Sequence, residues 1–146
     1  MAELRFTVAL DWEGAPKDGE GTFASGGSEM PYSGPASMGG KGVGTSPEDL
    51  LTGAIAACYS ITLAGILRAA KLPVTHLHVG AEGVVSDFPQ QSRFTRITVS
   101  PSIAGADVAL RTKYIEAATK ARDKCFIGRT VRDYLDYGVG EVSLSA

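Results

Sequence analysis

Between Ser46-Pro47 and Pro73 runs a segment that is apolar on nearly every face. Thr45-Ser46-Pro47-Glu48-Asp49 opens it as a helix: Ser46 supplies the capping oxygen, Pro47 suits the first helical position, and two carboxylates face the positive end of the helix. The spacing predicts a helix to about residue 70, stopped by Pro73. Leu50, Leu51, Ile55, Cys58, Ile61, Leu63 and Ile66, with the alanines between them, leave scarcely any polar stripe. A helix of this kind either crosses a membrane or is covered on every side.

Leu50 to Leu67 is 18 residues, within the ~17 to 25 that a membrane span needs. Thr52, Gly53, Ser60 and Thr62 dilute the run, and strand-like alternating segments flank it. The covered central helix is therefore the reading adopted, with no membrane. A chain of 146 residues is one domain by length, and it holds few elements with which to wrap such a helix. Burial by a second subunit follows as an expectation.

The rest of the chain reads as strands and one more helix. Leu4, Phe6, Val8, Leu10 and Trp12 alternate with polar residues, predicting a half-buried strand over 3–12. Residues 21–25 and 30–33 read as two further short strands. Segment 34–44 holds five of the 18 glycines and reads as a loop. Strands are expected over 75–86 and 93–103, with Ile97, Val99 and Ile103 on one face. A helix is expected over 107–123, a helical turn over 130–136 and a last strand over 140–145. Hairpin-joined strands interrupted by two long helices argue an α+β fold, an antiparallel sheet backed by helices.

Charge and cysteine usage narrow the function. A net charge of -2 lacks the basic footprint of a nucleic-acid binder. Cys58 and Cys125 stand 67 positions apart, in no Cys-x-x-Cys cluster, so neither a zinc site nor a disulfide-stapled secreted scaffold is expected. Met1 is followed by the acid-bearing, alternating Ala-Glu-Leu-Arg-Phe rather than a basic then apolar run. A cytoplasmic, reducing home is the expectation.

Each reactive candidate has a plainer reading beside it. Cys58, in Ala56-Ala57-Cys58-Tyr59, is either one more small core residue or a reactive thiol, and reactivity needs a nearby cation, helix N-terminus or hydrogen bonds. Glu48 has the wrong sign and lies about 15 Å away along a straight helix. Cys125 follows a helix with Arg122, Lys124 and Arg129 close in sequence; it is either a locally stabilised thiolate or a helix-end residue packed under Phe126. Only a fold that brings both helices together would let the two cysteines pair. His76 and His78 share one face of a strand, read as a solvated face, and no metal is expected. The Gly39-Gly40-Lys41-Gly42 loop lacks the order of a phosphate-binding loop.

Gly44-Thr45-Ser46-Pro47-Glu48-Asp49, then Ala56-Ala57-Cys58, then Lys124-Cys125, with a Trp-Glu-Gly after the first strand, resemble the OsmC/Ohr family of thiol-dependent hydroperoxidases. The resemblance runs over nearly the whole chain. It implies an OsmC-like fold in an intertwined homodimer, with the two long helices central and antiparallel and two sites at the interface. In such a dimer Glu48 of one chain can lie by Cys58 of the other.

By that resemblance Cys58 is the thiol that attacks the O–O bond of an organic hydroperoxide, and Cys125 resolves the sulfenic acid as a disulfide. A dithiol reductant, such as a lipoylated protein, then resets the enzyme, with no cofactor. Glu48 would hold the family's catalytic Arg, but this chain has Met38 at the OsmC-type position and Lys17 at the Ohr-type position. Lys17 is thus the expected cation, with Lys41 as fallback, although neither offers a two-pronged guanidinium contact. Tyr32, Met38, Lys41, Tyr59 and Phe126 are expected to line the substrate pocket. The alternative is an OsmC-fold protein that holds a small apolar ligand.

Overall fold

The structure is a computed structural model that describes residues 1–146. The chain divides into two compact units, Met1–Leu51 and Thr52–Ala146.

The first unit is a three-stranded antiparallel sheet, β1 (Ala9–Glu13), β2 (Glu20–Ser25) and β3 (Ser28–Tyr32), in that order. The strand expected over 3–12 therefore begins late. Its partner decides this: Ala9 faces Ala24, and β2 turns into β3 one residue further on, so nothing remains to pair with residues 3–8. Leu4, Phe6, Val8, Leu10 and Trp12 alternate as expected, yet all are exposed, Phe6 at 85%. Across the sheet the register sets Trp12 beside Gly21 and Gly21 beside Tyr32. A Cβ on Gly21 would lie 2.5 Å from the Tyr32 ring, and its lack of a side chain lets Trp12 and Tyr32 meet with centroids 5.6 Å apart.

The Gly-rich segment is a loop with one 3₁₀ turn, Ala36–Met38. Buried Ser33 ties it down: its Oγ donates to the Val43 carbonyl at 2.8 Å and accepts from the Val43 N–H at 2.7 Å. Helix α1 (Pro47–Ala69) then starts as the capping residues dictate, with the Asp49 N–H donating to Ser46 Oγ at 3.1 Å. α1 is long and apolar enough to cross a membrane by length and composition, with a mean hydropathy of 1.9. Its two long faces have different fates. Ile55, Tyr59, Leu63 and Leu67, four apart, are fully buried; Ala54, Ala57, Ile61 and Ala64 on the other side are exposed.

The second unit pairs β4 (His76–Ser86) with β5 (Arg93–Ala104) as an antiparallel hairpin. Helix α2 (Arg111–Lys124) follows a 3₁₀ turn at Val108–Leu110, and the short α3 (Phe126–Val131) begins directly after Cys125. β6 (Asp136–Val139) and β7 (Ser143–Ser145) both join β5 in parallel. The strand expected over 140–145 shortens to β7, β6 is an additional strand just before it, and the helical turn expected over 130–136 is displaced to 126–131. The crossover through α2 and α3 returns the chain in the direction of β5, which makes the sheet mixed. The core joins the buried stripe of α1 to Ile97, Val99 and Ile103 of β5 and to Tyr114, Ala117 and Ala121 of α2.

Candidate functional site

Cys58 and Cys125 come together in the second unit. Cys58 is half-buried on α1 and Cys125 is fully buried between α2 and α3; both are free thiols, close enough for each to shift the acidity of the other. Cys125 caps α3: its Sγ accepts from the Gly128 N–H at 3.5 Å, as a capping oxygen would, and its thiol is directed at the Ile55 carbonyl at 3.9 Å. Cys125 is a buried residue at the end of α2, while Phe126 beside it is 57% exposed. Cys125 is not a locally stabilised thiolate: Arg122, a nearby cation, donates instead to the Tyr137 carbonyl and pairs with Asp123.

The two thiols are held in opposite directions. Burial pushes Cys58 up, but the Ile127 N–H, the neighbouring Cys125, the Phe126 N–H and Thr62 outweigh it and leave Cys58 below the ordinary thiol range. Every one of these groups is neutral. The Thr62 hydroxyl proton itself goes to the Cys58 carbonyl at 2.8 Å. Cys125 is pushed up, first by burial and then by its neighbour Cys58, against the pull of the Gly128 N–H.

Of the other expected site residues, Tyr59 is a correction. It is 0% exposed, in the core, and its hydroxyl donates to the Ala118 carbonyl at 3.0 Å, so it is not free to line an opening. Phe126 stays exposed next to Cys125. Tyr32, Met38, Lys17, Lys41 and Glu48 belong to the first unit. Lys17 is exposed in the turn after β1. Lys41 pairs with Glu20 at 3.3 Å across half-exposed side chains, a contact worth at most about 1 kcal/mol. Glu48 has a buried Oε2 with no hydrogen-bond partner, an arrangement that costs free energy until a donor completes it. His76 and His78 are exposed.

The sequence carried little sign of the donors around Cys58. Thr62 stands four residues on, one helical turn away, which is a legible relation. Phe126 and Ile127 act through backbone N–H groups at the start of α3, and any residue except proline supplies those. Tyr137 also reaches the site: its ring packs on Gly128, where a Cβ would lie 2.1 Å from Cε2.

Fold and thiols together define a class: an α+β protein in which a long apolar helix presents a half-buried cysteine of lowered pKa to a buried partner. Residues 39–136 match the OsmC-like protein family, and the chain belongs to that family. It is 33% identical over 138 residues to the uncharacterized protein YmaD of Bacillus subtilis, covering 90% of this chain and 89% of that one. Its fold is similar to that of an OsmC-like protein of unknown function from Vibrio cholerae, with a TM-score of 0.80 at 15% identity over 96% of this chain and 99% of that one. A Legionella pneumophila organic hydroperoxide resistance protein superposes with a TM-score of 0.72 at 19% identity, over 99% and 100% of the two chains.

Proposed function

We propose that the chain is a thiol peroxidase that reduces organic hydroperoxides through Cys58 and Cys125. The observation that carries this reading is the unequal thiol pair: a half-buried Cys58 below the ordinary range, within reach of a buried Cys125 held above it. The more acidic, more accessible thiol is suited to attack, and the protected one to resolve. Family membership and the Legionella relative support the same chemistry.

In the proposed cycle the Cys58 thiolate attacks the outer oxygen of the hydroperoxide, the O–O bond breaks, and the alkoxide leaves as alcohol after taking a proton. Cys58 is then a sulfenic acid. The Cys125 sulfur attacks it, the S–O bond breaks, and water leaves as the disulfide forms. A dithiol, such as a lipoylated protein, takes the disulfide's place as the oxidised partner and returns both thiols. No cofactor is required, and a reducing cytoplasm is the compartment that keeps both cysteines free. Glu48, with its unsatisfied Oε2, would orient a cation toward the leaving oxygen. Lys17 is the proposed donor and Lys41, already paired with Glu20, the fallback. Tyr32, Met38 and Phe126 would line the apolar end of the pocket.

The same reading includes a homodimer. Ala54, Ala57, Ile61 and Ala64 are spaced three and four apart, which lets small side chains of one helix meet those of a second at close range. The exposed apolar row from Leu4 to Trp12 in the first unit is a second face of the kind that a partner subunit would cover.

Rapid mixing of the reduced protein with cumene hydroperoxide, followed by mass spectrometry, tests the reading. A Cys58–Cys125 disulfide formed within the reaction time and reversed by a dithiol is expected. Unmodified Cys58 after exposure, or undiminished turnover in Cys58→Ser, overturns it. The alternative, a holder of a small apolar ligand, rests on a cleft of about 380 Å³ lined by Thr62, Gly65, Ile66, Ala69, Ala70, Lys120 and Lys124. It is favoured if a fluorescent fatty acid binds there while Cys58 stays inert.

A further inference from the structure

Tyr137 is almost wholly buried, 3% exposed, yet its hydroxyl has no hydrogen-bond partner. Such orphaned phenols are uncommon, because burying a hydroxyl without a partner costs free energy. Tyr59, also buried, differs in that its hydroxyl donates to the Ala118 carbonyl at 3.0 Å.

Two contacts place the Tyr137 ring beside Cys125. Its ring lies flush on Gly128, where a Cβ would come within 2.1 Å of Cε2 and 3.0 Å of Cζ. Gly128 also donates its N–H to Cys125 Sγ at 3.5 Å. The strand register of β6, with Tyr137 beside Ile97 of β5, and the Arg122 donation to the Tyr137 carbonyl at 3.1 Å hold the residue there. The Tyr137 ring is therefore packed against the residue that holds Cys125 Sγ, and its buried hydroxyl is close enough for the two groups to shift each other's acidity.

We propose that Tyr137 is the hydrogen-bond donor that serves Cys125 when it becomes a thiolate and attacks the Cys58 sulfenic acid. This rests on the thiol-peroxidase reading and assigns a residue to its second step. A neutral thiol is a weak acceptor, so the hydroxyl finds no good partner in the reduced protein; a thiolate is a strong one. The groups facing Cys125 are Cys58 and Tyr59 from α1, the Gly128 N–H from α3 and Tyr137 from β6, and none is a cation. In the step itself, the Cys125 proton leaves with the sulfenic oxygen as water and the S–S bond forms. Tyr137 keeps its own proton throughout, since burial and the nearby thiols push its phenol well above its usual range.

Tyr137→Phe tests this in two arms. In single-turnover mixing with cumene hydroperoxide, the rate of Cys58 oxidation should be unchanged and disulfide formation about tenfold slower or more, with sulfenic acid accumulating and trapped by dimedone. Equal rates of disulfide formation in the variant and the parent, or equal slowing of both steps, overturns the proposal. The second arm needs no hydroperoxide: in protein labelled with 13C at cysteine Cβ, the Cys125 titration should move to higher pH in Tyr137→Phe, and an unmoved titration overturns it. If Cys58 of the parent protein resists hydroperoxides while this titration moves, the peroxidase reading fails and the Tyr137–Cys125 interaction stands alone. Tyr59→Phe, which loses its bond to Ala118, controls for general loosening and should not slow disulfide formation selectively.

Discussion

The two units bury their apolar residues to very different degrees. In the second, the α1 stripe, β5 and α2 close a core in which Ile55, Tyr59, Leu63, Leu67, Ile97 and Val99 are fully buried. In the first, Leu4, Phe6, Val8, Leu10 and Trp12 stay exposed, and the buried polar residues are the tying Ser33 and the capping Ser46. Both units obey the same alternation and periodicity rules. The difference teaches that an apolar pattern specifies which face wants covering, not what covers it. In the second unit the chain itself supplies the cover; for the first, the proposed homodimer would.

The largest effect expected is chemical and lies in the second unit. Cys58→Ser should lower hydroperoxide turnover at least about a thousandfold, as followed by dithiol consumption, while Cys125→Ser should leave the first oxidation intact and stop the disulfide. Next, Leu63→Ala should cost about 2 to 5 kcal/mol, read from urea unfolding at any protein concentration. The sharper contrast is Leu10→Ala. Its cost, up to about 3 kcal/mol for a side chain buried at an interface, should depend on protein concentration, because association and folding are then linked. Equal, concentration-independent costs at Leu63 and Leu10 would break the comparison; a monomeric sedimenting mass of the parent protein would remove the dimer, and a dimeric mass that survives the double change of Phe6→Asp and Leu10→Asp would exclude this row as its interface.

Smaller effects sharpen the picture. Ser33→Ala removes two hydrogen bonds to Val43 and should cost about 1 to 2 kcal/mol, with loop 34–44 exchanging its amide protons faster. The rate of Cys58 oxidation should stay high below the ordinary thiol value of ~8.5 and fall only as pH drops through the lowered Cys58 pKa. Stability has the matching sign: the Cys58 contribution is present above its unfolded pKa and lost as pH falls through the folded one. The Cys125 contribution, from a raised pKa, is present below its unfolded value and lost as pH rises through the folded one. Thr62→Val, which deletes the smallest of the contributions that lower Cys58, should shift the acid limb of the rate profile slightly upward.

Much of this was legible before any coordinates. Ser46-Pro47-Glu48-Asp49 marked the start of α1 because capping is a local matter of one side chain and a few N–H groups. Ile97, Val99 and Ile103 announced the buried face of β5 because side chains alternate along a strand. The ends of elements were less legible. Residues 3–8 have the pattern of a strand and no neighbour to pair with, and α3 starts early because the Cys125 sulfur caps it. Tyr59 looked like a pocket residue beside Cys58, but adjacent helix positions point about 100° apart, and its side chain went to the core.

What the sequence determined by itself, then, was local or periodic: the helix and its cap, the alternating strands, the α+β class, and the two cysteines with the motifs that carry the family resemblance. What only the tertiary structure decided was non-local. It set Cys58 against the N–H groups of Phe126 and Ile127, gave Cys125 and Tyr137 their buried positions, and left Glu48 with an unmet acceptor. A thiol's acidity depends on which dipoles lie within hydrogen-bonding reach and how much water is excluded, and both depend on chain segments tens of residues apart.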